Sequence, residues 1–375
     1  MDILQKRTWA QIDLDAAAHN FEEIRRYVGN QSMVCCVIKA DAYGHGAVRM
    51  AEEYEALGAD WLALSNIEEA LQVRRAGIKL PLLVLGYTPA EAADVLAEND
   101  IAQCAYSAEY CAALSENAVK SGVKVKIHVK VDTGMSRLGF YFQDIERDKE
   151  AVSVVAEACR RPGLIPEGIF THFAVADGGE NGKAFTLKQF SCFMALIAEL
   201  EKQGVTFKIH HCANSGAILD YPEMHLDMVR AGVILYGMEP SLSVEHHADF
   251  RPVLSLHSVI SHVKEIEPGS DISYDRTFTA KERMRVATIP VGYGDGYPRS
   301  LSNKGYVLIH GKKAPIRGRV CLDASDEQQR RSARSRQALQ DRRPRLHGPV
   351  HGGCFRRAAG EGRGNRNAHR PRRRG

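Results

Sequence analysis

The 375-residue chain has no apolar run long enough to cross a membrane. Its opening Met1-Asp2-Ile3-Leu4-Gln5-Lys6-Arg7 has no apolar signal core either. Those two absences point to a cytoplasmic protein with no membrane partner. The nine cysteines include no Cys-x-x-Cys pair, and Cys35-Cys36 fall inside an apolar segment of strand length. Reduced core thiols are therefore expected in place of disulfides or a zinc site, and no metal is assigned. Beyond Ala324 the chain lacks Ile, Tyr, Trp and Met and shows no strand pattern. Residues 326–375 hold 15 arginines, no lysine and four acids, a balance of +11, so the whole-chain charge of +4 leaves −7 on residues 1–325. The basic character is a tail effect. Residues 325–375 read as GC-rich coding sequence translated in a wrong frame, and an Arg-rich arm that binds nucleic acid is the disfavoured alternative.

Against these absences, eight apolar, β-rich segments recur at 34–39, 61–65, 82–86, 101–105, 124–131, 165–172, 207–212 and 228–233. The intervening residues 67–76, 90–99, 108–121 and 184–203 carry apolar positions at three and four spacing among Ala, Glu, Leu and Lys, the pattern of helices. Eight strands alternating with helices in an α/β chain are the arithmetic of a TIM (β/α)8 barrel over residues 1–240, and a doubly wound sheet is the runner-up. After Tyr236-Gly237-Met238-Glu239-Pro240 the texture changes. Residues 252–266, 285–291, 305–310 and 314–321 mix apolar and small polar residues without helical period. They predict a mainly β domain over 241–324, incomplete here, with residues 8–14 a candidate to pair with it.

A barrel places chemistry at the C-terminal ends of its strands. Lys39 ends the first segment, followed by the turn glycines Gly44 and Gly46; Asp132 to Arg137 follow the fifth, Thr171-His172 end the sixth, His211 to Ser215 the seventh, and Arg230-Ala231-Gly232 the eighth. A lysine on an apolar strand loses part of its preference for the charged form and becomes a candidate nucleophile. The loops after strands seven and eight often hold phosphate, and Asn214-Ser215 and Gly232-Val233 lie there. A lysine and a phosphate site in one mouth suggest pyridoxal 5'-phosphate, whose aldehyde needs an amine.

The blocks from Val37 to Gly46 (Val-Ile-Lys-Ala-Asp-Ala-Tyr-Gly-His-Gly) and from Val131 to Gly139 (Val-Asp-Thr-Gly-Met-Ser-Arg-Leu-Gly) recur in one known family, in the same order as Thr171-His172-Phe173-Ala174, Ala213-Asn214-Ser215, Val229 to Val233, Ser273-Tyr274, Gly292 to Gly296 and Gly318 to Cys321. From Thr8 to about Asp323 the chain resembles alanine racemase, the fold-type III pyridoxal-phosphate enzyme. The resemblance implies a homodimer with shared active sites that interconverts L- and D-alanine for cell-wall peptidoglycan. By the same resemblance, Lys39 holds the cofactor and acts as one base, and Tyr274 of the partner subunit acts as the other. Racemisation removes a proton from one face of the substrate carbon and returns one to the opposite face, so two bases are required. The resemblance further assigns Tyr43, Arg137, His172, Asn214, Ser215, Arg230, Gly232 and Val233 to the cofactor; a tyrosine base needs nearby cations to lower its proton affinity, and His172 and Arg137 are the candidates. Arg137, Tyr293 and Leu322 are assigned to the substrate, and Lys130, His211 and Asp323 to support, Lys130 matching a lysine that is carbamylated in family members. Leu322 departs from the family's usual Met after the cysteine. The competing readings are a fold-type III amino-acid decarboxylase, which places an acid at the pyridine nitrogen where this chain has Arg230, and an inactive cofactor-binding product of a disrupted gene.

Overall fold

The computed structural model describes residues 7–321, which divide between Ser258 and Val259 into two compact units. In the first unit, β1 (Thr8–Ile12) precedes a ring of parallel strands: β2 (Met33–Val37), β3 (Trp61–Leu64), β4 (Leu82–Val84), β5 (Ile101–Ala105), β6 (Val125–Asp132), β8 (Leu164–Phe170), β9 (Ile209–His211) and β10 (Met228–Ala231). The short β7 (Phe140–Tyr141) adds to the end of β6. The last ring strand returns to the first, with Arg230 opposite Cys35. Asp227 N donates to His210 O at 3.2 Å and Arg230 N to Ala213 O at 3.0 Å, which brings the ring nearly to closure between β9 and β10. The expected eight-stranded barrel is present, with helices between its strands.

The strands are apolar on both faces because each face is covered. On β2, Val34 and Cys36 point to the helix layer while Cys35 and Val37 join Trp61, Ala63, Leu83 and Ala102 in the barrel interior. On β6, Ile127, Val129 and Val131 pack outward, so the alternate residues His128, Lys130 and Asp132 face the other way. Local chemistry sets the helix boundaries. Helix α1 (Leu14–Val28) starts where the Asp13 carboxylate accepts from Ala16 N, and the helix over Ala108–Ser121 starts at Ser107, whose hydroxyl accepts from Tyr110 N, and stops at the left-handed Gly122.

The first strand, β1, runs antiparallel to β11 (Leu254–Ser258), Trp9 lying opposite His257, and both strands belong to the first unit. In the second unit, β12 (His262–Ile266) pairs with β15 (Met284–Thr288), β13 (Asp271–Ile272) with β14 (Phe278–Thr279), and β16 (Tyr306–Ile309) with β17 (Lys312–Pro315), all antiparallel. This unit is mainly β. The strand expected at 314–321 is instead a hairpin arm that begins at Lys312, since the left-handed His310 and Gly311 make the turn one step earlier. Among the described residues eight cysteines are free thiols, no group of metal-ligating side chains forms a site, and no helix is long and apolar enough to cross a membrane.

Candidate active site

Lys39 stands two residues past β2, at the start of a turn over Lys39–Gly44. Ala40, Asp41, Ala42 and Tyr43 all have φ between 53 and 54° with ψ of 33 to 52°, a full turn wound left-handed. Each such residue costs roughly 1–2 kcal/mol relative to the right-handed basin, so surrounding bonds must hold the turn. Glu69 does so from the first turn of the helix over Ile67–Arg75. Its carboxylate accepts from Ala40 N at 2.8 Å and from Ser65 N and Oγ at 2.9 and 2.8 Å. Asp41 Oδ1 accepts from Ala47 N at 2.7 Å, and the His45 ring packs 4.5 Å from that of Tyr236. The half-buried Lys39 has its pKa lowered, first by burial, then by the Arg137 guanidinium and by Arg230, while Glu69 opposes the change.

Ten sequence-derived candidates border one 430 Å³ cavity at this mouth: Lys39, Tyr43, Lys130, Arg137, His172, Asn214, Ser215, Arg230, Gly232 and Val233. At one end Gly232 N donates to Ser215 Oγ at 3.0 Å. A Cβ built on Gly232 would stand 3.4 Å from both Ser215 Oγ and the Tyr43 hydroxyl, so two hydroxyls and a bare backbone converge there. Such a cradle suits a small anion such as phosphate. Asn214 shapes it indirectly: its Oδ1 accepts from Ala217 N, capping the helix over Ser215–Asp220, and its Nδ2 donates to Phe173 O.

At the other end lies Arg230, 4% exposed. It donates to Thr171 O at 2.8 Å, Cys212 O at 3.1 Å, His211 Nδ1 at 3.0 Å and His172 Nδ1 at 3.3 Å. Burial presses against its charge, but a guanidinium keeps its proton. His172 was expected as a cation. Burial and the surrounding Arg230, Lys130, Arg137 and Lys39 instead drive its pKa well below the usual value, so it is a neutral imidazole. Lys130 is 5% exposed and burial pushes its pKa down to about 8; its Nζ donates to Val131 O at 2.7 Å. Arg137 is exposed on the cavity rim.

Tyr274 and Tyr293 belong to the second unit, each on a one-turn 3-10 helix and 70% and 46% exposed. Leu322, Asp323 and the Arg-rich 325–375 lie outside the described residues. Three residues of the first-unit site had escaped sequence reasoning: Glu69, His128 and Glu167. His128 was signalled, as an imidazole two residues before Lys130 on an apolar strand, whereas the carboxylates of Glu69 and Glu167 look like ordinary surface charges in sequence.

This geometry can be set beside known proteins. The description "Alanine racemase, N-terminal domain" matches residues 12–240, and "Alanine racemase, C-terminal domain" matches 253–326. The chain belongs to the alanine racemase family. The alanine racemase of Desulfovibrio desulfuricans is 45% identical over 315 residues, which are 84% of this chain and 83% of that one. The solved alanine racemase of Clostridium difficile 630 superposes with a TM-score of 0.79 at 40% identity, covering 85% of this chain and 82% of its own. A histidine racemase from Leuconostoc mesenteroides also superposes, with a TM-score of 0.76 at 29% identity over 85% and 83% of the two chains. Alanine racemase membership fits the barrel followed by β strands, and the lysine block and the arginine block both fall inside the matched region.

Proposed function

We propose that the protein interconverts L-alanine and D-alanine as a homodimer, with pyridoxal phosphate held in the barrel mouth, and so yields D-alanine for peptidoglycan. The observation that carries this reading is the union, around one 430 Å³ cavity, of a half-buried lysine, a buried arginine that only donates, and a cradle with two hydroxyls. Pyridoxal phosphate has an aldehyde, a ring nitrogen and a phosphate. Lys39, Arg230 and the Tyr43-Ser215-Gly232 cradle match these three groups, with Val233 N–H beside the cradle. When bound, the cofactor supplies an electron sink that makes the substrate's Cα proton removable.

Burial and two neighbouring guanidinium groups raise the share of Lys39 present as free amine near neutrality. That amine both holds the cofactor and exchanges a proton at one face of Cα. Arg230 only donates hydrogen bonds, so it would leave the ring nitrogen of a bound cofactor unprotonated and the sink weak. With the cofactor bound, such a site would favour return of a proton to the substrate carbon, and so racemisation over amino transfer. A fold-type III decarboxylase needs an acid at this place, and Arg230 has only imidazoles and carbonyls around it. Tyr274 of the partner subunit serves the opposite face, Arg137 pairs with the substrate carboxylate as a fixed fork, and Tyr293 and Leu322 line the entry, with Asp323 behind. Lys130, with a pKa of about 8, spends part of its time as the free amine needed to add carbon dioxide, and the resulting carbamate steadies Arg137.

The test uses the full chain with added pyridoxal phosphate. The circular-dichroism signal of L-alanine decays to zero, and borohydride trapping before digestion labels Lys39. A label on Lys39 with L-alanine unchanged reduces the protein to a cofactor binder, and a label on another lysine overturns the site. Because a histidine racemase shares this fold at 29% identity, L-histidine is run in parallel, and a higher kcat/KM for it would reassign the substrate.

A further inference from the structure

Arg230 carries a full charge in the barrel interior, and among the described residues no carboxylate lies within ion-pair distance of it. The thiols around it, Cys35, Cys104 and Cys212, are pushed by burial up to about 12 and supply no negative charge. Its guanidinium leans instead on His211 Nδ1. His211 Nε2 in turn lies 2.9 Å from His128 Nδ1, and His128 Nε2 faces Glu167 Oε2 at 3.5 Å, within ion-pair distance, neither of these two buried atoms making a hydrogen bond among the described residues. Both imidazoles are fully buried.

The direction of this chain is forced. Arginine only donates, so His211 Nδ1 must be bare and its proton must sit on Nε2. That proton needs an acceptor, so His128 Nδ1 must be bare too, and His128 carries its proton on Nε2, toward the carboxylate. Reversing any one ring sets two N–H groups against each other and uncouples Arg230.

Two backbone features favour this arrangement. The pairing of β6 with β8 slips between Ile127 and His128, so that Ile127 lies opposite Pro166 but His128 opposite Gly168. Glu167 is the extra residue of the resulting bulge, the device by which a strand re-aims one side chain. At Gly168, a Cβ would fall 2.5 Å from His128 Nδ1, so only glycine leaves room for the ring.

We propose that His128 and His211 form a one-way hydrogen-bond chain that fixes the orientation of Arg230, with Glu167 facing its far end as a remote counter-charge. His128 and Glu167 are positioning residues; neither borders the cavity. The other groups facing the two rings are Arg230, Lys126, His210 and, as its amine, Lys130; burial first, then Arg230, holds both rings neutral. The effect on turnover rests on the racemase reading, whereas the proton pattern does not.

Histidine-selective 15N NMR of the holoenzyme reads that pattern directly. In the native protein His211 and His128 are both expected neutral with the proton on Nε2 from pH 6 to 8. An Nδ1 proton, or an imidazolium on either ring, overturns the proposal even if no variant folds. Glu167→Gln is expected to give a mixed proton pattern at His211 and about a tenfold loss of kcat, with KM within about twofold. Glu167→Asp is expected to restore the single pattern in part. An unchanged His211 pattern in a folded Glu167→Gln protein overturns the proposal. Loss of the chain's pattern in an active racemase would sink this inference alone, and an intact pattern without racemisation would sink only the functional reading.

Discussion

On β3 of the barrel, Leu62 and Leu64 pack against helices while Trp61 and Ala63 fill the interior, and none is more than 6% exposed. In residues 259–321 the strands pair two by two, and Val263, Tyr306 and Leu308 remain 43%, 49% and 64% exposed. A two-stranded ribbon is marginal in water, and a sheet covered on both faces is not. The difference bears on chemistry: Lys39, Arg230 and the anion cradle stand on the well-supported scaffold, and the proposed second base, Tyr274, stands on the poorly supported one.

That contrast can be broken at several points, the largest effect first. Lys39→Ala should cut racemisation at least about a thousandfold and remove the cofactor-lysine absorbance band, with the barrel's far-UV dichroism unchanged. Tyr274→Phe should also abolish racemisation, yet leave solvent deuterium exchanging into the Cα of one enantiomer only, because one face keeps its base. Exchange into both enantiomers would remove Tyr274 from the mechanism. Phe193→Ala, in the barrel core, should destabilise by about 3–5 kcal/mol in urea unfolding, whereas Leu308→Ala in the second unit should change stability by no more than about 0.5 kcal/mol. Equal effects would erase the distinction drawn above.

A pH series sharpens it further. His128, His172 and His211 are held neutral when folded, with pKa values below the ordinary one. Below the unfolded value near 6.5 the unfolded chain binds more protons than the native one, so stability falls as pH drops. The loss should approach about 1.4 kcal/mol per pH unit per histidine, read from the barrel's urea midpoint between pH 7 and 5. A flat midpoint would mean that the rings are already charged in the native state. A modest change is expected in Ser215→Ala, which removes one neutral hydrogen-bonding group and should weaken pyridoxal phosphate binding by about 1 kcal/mol, near fivefold, in a fluorescence titration.

The barrel was legible because a parallel strand covered on both sides must be a continuous apolar run, and polar residues at or near the ends of several runs, among them Lys39, Lys130 and His172, border the cavity. Lys39, Ser215 and Arg230 could be named on that ground alone. The turn at Ala40 to Tyr43 was not legible, since no glycine marks its left-handed residues and the bonds that hold it come from Glu69, far along the chain. Glu167 escaped for a related reason: a bulge, which leaves no mark in residue pattern, turns it toward His128. The hairpin of Asp271–Ile272 with Phe278–Thr279 is too short to show any alternation, and Lys312 and Lys313 resemble turn residues because their strand is exposed.

Glycine enters the left-handed basin freely and alanine does not, so Ala40 sits where the native backbone is least comfortable. A screen for heat resistance would tend to select glycine there, relaxing the loop that carries the essential amine. The survivors would melt later and turn over more slowly, for Glu69 would then be latching a segment that no longer needs to stay wound.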